Sequence, residues 1–197
     1  MLLLHTCCAP CALPIIDGST SLTVNPERSR RIEYLLKEKD ITLYFYNPNI
    51  YPEQEYQKRL KEVKKISKIY NLKLIIGEYE HKKWLIYLRK SLPRPLESYP
   101  ENSERCLACF RFRLNKTAEF AKANNFNEFT TTLSVNRFKD TKFMNNYGKK
   151  IAKENSLDYL ILDLDPHQAH QKEKELNKKH NLYSQKYCGC EFSFSSL

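Results

Sequence analysis

The chain has 197 residues, 41% of them hydrophobic, and 33 Lys+Arg against 23 Asp+Glu give it a net charge of +10. That length favours one domain with a proper core, and the apolar share excludes a disordered chain. Only 4 glycines and 9 prolines exclude a low-complexity or fibrous protein, and the charge fits either a lysine-rich solvated surface or a polyanionic partner such as RNA or DNA.

The start, Met1 to Cys8, lacks the basic segment and the long apolar run of a signal peptide. No apolar stretch approaches the roughly 20 residues that span a bilayer. A cytoplasmic protein without a membrane partner is therefore expected. Thiols stay reduced in that compartment, so clustered cysteines point to metal or redox chemistry rather than to structural disulfides.

Leu2-Leu3-Leu4 reads as a short buried strand running into the first cysteines. Gly18 to Arg31 is polar and without clear period, and it reads as a surface insertion before a helix from Ile32 to Lys39. Ile41 to Tyr46 is a β-rich run stopped by Asn47-Pro48-Asn49. After Pro52, the apolar positions Tyr56, Leu60, Val63, Ile66 and Ile69 recur at helical spacing. Leu72 to Ile76 reads as a strand, His81 to Lys90 as a helix, and Leu92 to Ser103 as a proline-bearing loop. The second cysteine pair opens a helix to about Asn124. A strand from Phe129 to Val135, a helix from Lys142 to Glu154, a strand from Tyr159 to Leu164 and a polar helix from about Gln168 to His180 come next. The alternation predicts an α/β domain with a mainly parallel sheet and flanking helices. Ligands of such sheets bind beyond the carboxyl ends of the strands, where Cys7, Cys8 and Cys11 are expected to lie.

The seven cysteines fall into three groups: Cys7, Cys8 and Cys11; Cys106 and Cys109; Cys188 and Cys190. A C-x-x-C pair at a helix start brings two thiolates to one metal, and the free N–H groups there favour thiolate. Two such pairs supply the four sulfurs of tetrahedral zinc or of an iron–sulfur cluster. Four-cysteine zinc leaves three cysteines over, which favours a redox site with a separate dithiol. Cys188-Gly189-Cys190 has the spacing of a tight, strained disulfide, the kind that tends to be catalytic.

These motifs resemble a family. Cys7-Cys8-Ala9-Pro10-Cys11, Phe45-Tyr46-Asn47-Pro48-Asn49-Ile50 with Pro52, Glu55, Tyr56 and Arg59, Arg105-Cys106-Leu107-Ala108-Cys109-Phe110 with Arg113-Leu114, Phe129-Thr130-Thr131-Thr132-Leu133, and the ending Gln185 to Ser193 together resemble the QueH-type epoxyqueuosine reductases. The resemblance implies a Rossmann-like, adenine-nucleotide-hydrolase-like α/β fold. It implies reduction of epoxyqueuosine to queuosine at the wobble position of tRNA, the last step of queuosine synthesis. It also implies a [4Fe-4S] cluster and an additional iron. By matching position, Cys7, Cys8, Cys106 and Cys109 are the expected cluster ligands and Cys188 and Cys190 the redox-active pair, with metal ligation by Cys188 as the alternative. Cys11 is either a ligand of the second iron or a support for its loop. The C-terminal segment 186–197 is expected to return to the site.

The sequence departs from the family's pattern around Asp163-Leu164-Asp165-Pro166-His167; Asp163 is the candidate carboxylate there, with Lys172 standing in for basic residues. Tyr46, Tyr51 and Phe110 are candidates for stacking on a splayed base, with Asn47 and Arg113 beside them. Arg105, Arg111, Arg113, Lys116, Arg137 and Lys139 are candidates for phosphate contacts. His5 reads as a core histidine or a proton donor to the site, and Glu55 with Arg59 as a surface ion pair. The electron donor has no signature in the sequence. Two other classes compete: a zinc-stabilised RNA-binding module, and a nucleotide-dependent tRNA-modifying enzyme. The latter needs a glycine-rich phosphate loop where this chain has Cys7 to Cys11.

Overall fold

The computed structural model describes residues 1–18, 26–38, 40–135, 139–162, 164–185 and 187–196. Among these residues the strands are β1 (Leu2–His5), β2 (Ile41–Phe45), β3 (Lys73–Ile76), β4 (Glu128–Thr131) and β5 (Asp158–Tyr159). The helices are α1 (Ala9–Ile16), α2 (Pro26–Lys37), α3 (Glu53–Ile69), α4 (His81–Ser91), α5 (Glu104–Ala123), α6 (Thr141–Glu154) and α7 (Pro166–Lys179). The sheet order is β3-β2-β1-β4-β5, with every neighbouring pair parallel. This is the expected α/β architecture.

Leu2, Leu3 and Leu4 are at most 1% exposed, as a continuous apolar run must be in a strand covered on both faces. Leu2 and Leu4 pack with α1, α2, α3 and α7 residues. Leu3 packs with α4, α5 and α6 residues on the other face. The helices thus form two layers around one sheet.

Four elements differ from the sequence reading, each for a local reason. α1 was not expected: all eight of its residues are buried, so it has no polar stripe to give it a period. Pro10 sits in its first turn, where a missing N–H costs nothing. α2 starts at Pro26, so residues 26–31 of the expected insertion are helix, again opened by a proline. β4 stops at Thr131 and continues as a 3-10 turn, Thr132–Val135. Hydroxyls redirect the backbone there: the Leu133 N–H donates to Thr131 Oγ1 at 3.1 Å, and Ser134 Oγ donates to the Thr131 carbonyl at 2.9 Å. β5 is cut to two residues because Thr130 Oγ1 takes the Leu160 carbonyl at 2.6 Å, in place of a further ladder bond.

The sheet order reverses between β1 and β4, which leaves a crevice beyond their carboxyl ends. The segments that enter it are Cys7 to Cys11 after β1, Asn47 to Ile50 after β2 and Thr132 to Val135 after β4.

Gly148 on α6 lies against the ring of Tyr159, which itself packs edge-on to Phe129 at 5.3 Å. A methyl group at Gly148 would overlap the Tyr159 ring. Helix propensity favours alanine by about 1 kcal/mol, but overpacking of a held ring costs about 1–3 kcal/mol. Gly148→Ala is therefore expected to lower unfolding stability by about 1 kcal/mol or more in urea denaturation, whereas an exposed helical glycine would gain.

Candidate metal and redox site

Cys7 lies two residues after β1, Cys8 is at the N-cap of α1, and Cys11 lies in the first turn of that helix. The three sulfurs all lie within 4.8 Å of one another, with Cys7 and Cys8 at 3.8 Å. Thr132, at the end of β4, holds Cys7 at two points. Its hydroxyl accepts from the Cys7 N–H at 3.0 Å and donates to Cys7 Sγ at 3.1 Å. Gln185, near the C-terminus, donates its amide N–H to Cys8 Sγ at 3.0 Å.

Sharing among the sulfurs separates their acidities. Contacts with Cys11 and Cys8, the Arg113 charge and the Thr132 hydroxyl bring Cys7 well below the ordinary thiol value, against burial. Cys11 rises because of Cys7 and Cys8, with burial adding to it.

The trio forms one wall of a cavity of about 490 Å³. Cys188 stands in another wall, along with Asn47, Asn49, Arg113, Lys139 and Glu173. Lys139 Nζ lies 3.4 Å from Cys188 Sγ and 3.1 Å from Glu101. Burial disfavours the Lys139 ammonium, yet Cys188 and Glu101 outweigh it and raise its pKa. On α7, burial raises the Glu173 carboxyl despite His170 beside it.

Arg113 is 2% exposed and donates to Asn47 Oδ1. Among the described residues it has no carboxylate partner, and its Nε has no hydrogen bond. Asn49 Oδ1 and Gln185 Oε1, both on cavity-lining residues, are also buried without a partner. A buried cation and orphaned polar atoms around an open volume mark a place built for a further group. A cluster of thiols with donors to two sulfurs and a cation nearby has the chemistry of a thiolate-bound metal site, so these residues fit a metal or iron–sulfur group.

The other expected ligands stand apart from the trio. Cys106 and Cys109 lie one turn apart at the start of α5 and fall outside the 4.8 Å group. Cys106 is buried with Phe110, Leu133 and Met144, in a cluster that Cys7 also touches, and so borders the trio. Cys109 packs in the same cluster as Cys190, and burial pushes its thiol up to about 12. Cys11, assigned no firm role from sequence, is instead the third member of the group. Cys188 and Cys190 are free thiols; Cys188 lines the cavity, whereas Cys190 is buried and bonded to Ser193 Oγ at 3.6 Å.

The aromatic candidates divide. Tyr46 is 2% exposed, stacks on Tyr44 and gives its hydroxyl to Glu80 at 2.7 Å. Phe110 is equally buried in the Cys106 cluster. Both are core residues with no ring face left for a base. Tyr51 is 44% exposed but stacks on His81, outside the cavity. Tyr187, not singled out from sequence, lines the cavity.

The cationic candidates divide too. Arg105 and Arg113 are buried, Lys139 is half-buried, and Arg105 donates to the Leu96 carbonyl at 2.8 Å. Arg111 is exposed over the rings of Phe143 and Tyr147, and Lys116 pairs with Glu119 at 2.9 Å. Lys172 reaches Asp17 and Glu175 instead of the cavity. Arg137 and Asp163 lie outside the described residues.

His5 is a core histidine: Nε2–H donates to the Tyr46 carbonyl at 3.0 Å, and Nδ1 accepts from Thr131 Oγ1 at 2.7 Å. This tautomer is set by the network, because the Tyr46 carbonyl can only accept and so requires the proton on Nε2. Burial, and then Arg113, pull the imidazole down to about 3, so it stays neutral. Glu55 and Arg59 are not a surface pair: they are 6% and 3% exposed. Charged side chains on the otherwise apolar stripe of α3, beside Tyr56, were the available signal.

The sequence matches the family described as Epoxyqueuosine reductase QueH over residues 2–196. The chain belongs to this QueH family. Among its relatives, the epoxyqueuosine reductase QueH of Histophilus somni is 31% identical over 193 residues, covering 98% of this chain and 71% of that one. The Haemophilus influenzae protein of the same name shows the same identity over the same shares. The Thermotoga maritima QueH is 31% identical over 194 residues, 97% of this chain and 88% of its own. Among the described residues, no helix is long and apolar enough to cross a membrane.

Thr132 supports the QueH trio at both the backbone and the sulfur of Cys7. Thr132→Val is expected to weaken metal retention by about 10–100-fold against a competing chelator, the usual loss for a residue that orients a ligand. Thr132→Ser keeps both contacts and is expected to retain the metal.

Proposed function

We propose that this chain reduces epoxyqueuosine to queuosine in tRNA, at the wobble position, as the last step of queuosine synthesis. One observation carries the reading: three grouped thiols and a fourth, Cys188, face the same polar cavity. The family match and the names of the relatives support it.

The reaction takes two electrons and two protons. The epoxide oxygen leaves as water, and a carbon–carbon double bond replaces the two C–O bonds. Cys188 and Cys190 supply the electrons and protons together, their two S–H bonds giving way to one S–S bond. An external electron donor then returns the pair to the dithiol. Cys7, Cys8 and Cys11 hold the metal group, with Cys106 and Cys109 the further thiols available to it. A [4Fe-4S] cluster with an additional iron ion supplies one-electron transfer and Lewis acidity toward the epoxide oxygen when bound.

The protein's own groups do the rest. Asn49 Oδ1 and Gln185 Oε1 are free to accept from the polar edge of the nucleoside. Arg113 offers its unpartnered Nε–H and a fixed positive charge where oxygen charge develops. Lys139, beside Cys188, is the nearest proton source to the reacting sulfur. Exposed cations such as Arg111 meet the tRNA phosphates outside the cavity.

The test is anaerobic purification and then visible spectrum, iron, sulfide and zinc content, and turnover of tRNA carrying epoxyqueuosine. Brown protein with near-equal iron and sulfide that forms queuosine meets the expectation. Colourless protein that still holds zinc after reconstitution with iron and sulfide overturns it and favours a zinc-stabilised RNA-binding module. The double substitution Cys188→Ser with Cys190→Ser is expected to abolish turnover and leave iron content near that of the parent. Loss of the cluster in that variant would make the pair metal ligands rather than a redox pair.

A further inference from the structure

Arg59, on α3, reaches across to the C-terminal turn. Its Nη1 donates to the Cys188 carbonyl at 2.9 Å, and its Nη2 donates to the Tyr187 carbonyl at 3.2 Å. Its Nε donates to Glu55 at 2.7 Å. The Glu55 oxygens also accept from the Tyr183 hydroxyl at 3.1 and 2.9 Å. The Tyr187 ring lies over the guanidinium at 5.1 Å. On the other side of the turn, the Tyr51 N–H donates to the Gly189 carbonyl at 2.7 Å, and the Tyr187 hydroxyl donates to the Tyr51 carbonyl at 3.0 Å.

A surface ion pair would leave this turn untouched, but this pair is buried and spends its donors on the turn's backbone. Arginine suits the task because its planar fork reaches two carbonyls while Nε holds the carboxylate; an ammonium cannot do all three. Gly189 completes the fit. Its φ is +117°, a region that side chains rarely adopt, and a Cβ there would stand 2.8 Å from Arg59 Nη1. Glycine is thus required both by the backbone and by the guanidinium above it.

We infer that Arg59, oriented by Glu55, is a positioning residue for the Cys188–Gly189–Cys190 turn, holding Cys188 toward the cavity while Cys190 stays buried behind it. The two sulfurs are unequal in this arrangement. Cys188 lines the cavity beside Lys139, and Cys190 is 8% exposed against Ser193. Cys188 is therefore the thiol that meets substrate, and Cys190 the partner that closes the disulfide. This inference rests on the redox-pair reading of the proposed function.

The test uses metal-loaded protein carrying Arg59→Met or Arg59→Lys. It reads three things: iodoacetamide alkylation of each cysteine by mass spectrometry, kcat and KM on tRNA carrying epoxyqueuosine, and iron content. In the parent, Cys188 is expected to react faster than Cys190. Arg59→Met is expected to erase that preference and to lower kcat by about 100-fold, the scale of loss when a reacting group is misplaced by an ångström. KM and iron content should hold. Arg59→Lys should recover part of both the preference and kcat, by reaching one carbonyl. A parent-like alkylation pattern in Arg59→Met would overturn the inference. If Arg59→Met does not fold, Gly189→Ala attacks the same contact from the other side and is expected to lose the preference likewise; retention there overturns the inference. An erased preference with unchanged kcat would leave the clamp standing and instead sink the redox role of the pair.

Discussion

The site depends on one constraint: β1 is paired in parallel on both sides, to β2 and to β4. Its register sets His5 opposite Tyr44 on one side and Thr131 on the other. A strand bonded on both edges and buried on both faces has no freedom to shift, since a one-residue slip would reverse every side chain. The chain leaving β1 is therefore delivered to a fixed point. Cys7 emerges there, and Thr132, one residue beyond the β4 partner of His5, is in reach of both its N–H and its sulfur. The neutral His5 serves this geometry by tying Thr131 to the Tyr46 carbonyl across the crevice floor.

Burial and charge pull against each other in the same crevice. Several thiols in a buried space cannot all ionise, and contacts within the trio lower Cys7 while they raise Cys11. Arg113 lies nearby and donates to the neutral Asn47, although a buried cation is expensive unless it is paired. The two costs answer each other once a metal group is bound. Thiolate ligands would bring negative charge to Arg113, and the metal would remove the competition between sulfurs for protons. Metal held by these thiols would therefore be linked to the stability of the fold.

The fold was legible in the sequence wherever a run had a period or a stop. The leucines of β1, the helical spacing from Tyr56 to Ile66 and the Asn47-Pro48-Asn49 stop all became what they suggested. The misreadings share a cause. α1 is apolar on every side, Thr131 to Val135 has β-favouring residues whose hydroxyls take the backbone bonds, and Glu55 with Arg59 looks like any exposed pair at helical spacing. In each, a tertiary partner decides the outcome, and that partner lies far away in sequence. The same holds at the site. The cysteines marked themselves by spacing, but that Cys11 groups with Cys7 and Cys8 while Cys106 borders them depends on where α1 and α5 begin.

The C-terminal segment shows how one sequence-distant piece is built into the site. Gln185 donates to Cys8, Tyr187 and Cys188 hang their carbonyls on Arg59, and Cys188 meets Lys139. These contacts run to α1, to α3 and to the segment before α6, so the segment bridges three separate elements beside the cavity. Its own core content is small: Cys190 is buried against α4 and α5 residues, and Phe192 packs beside Trp84. A segment held by polar bonds more than by apolar area has low local stability and opens more readily than the sheet. That is useful here. Under the proposed redox role, the turn would pass between dithiol and disulfide, and it could do so without disturbing the thiols of the opposite wall. The rigid trio at the end of β1 and the bonded, releasable turn at the C-terminus divide these two demands between them.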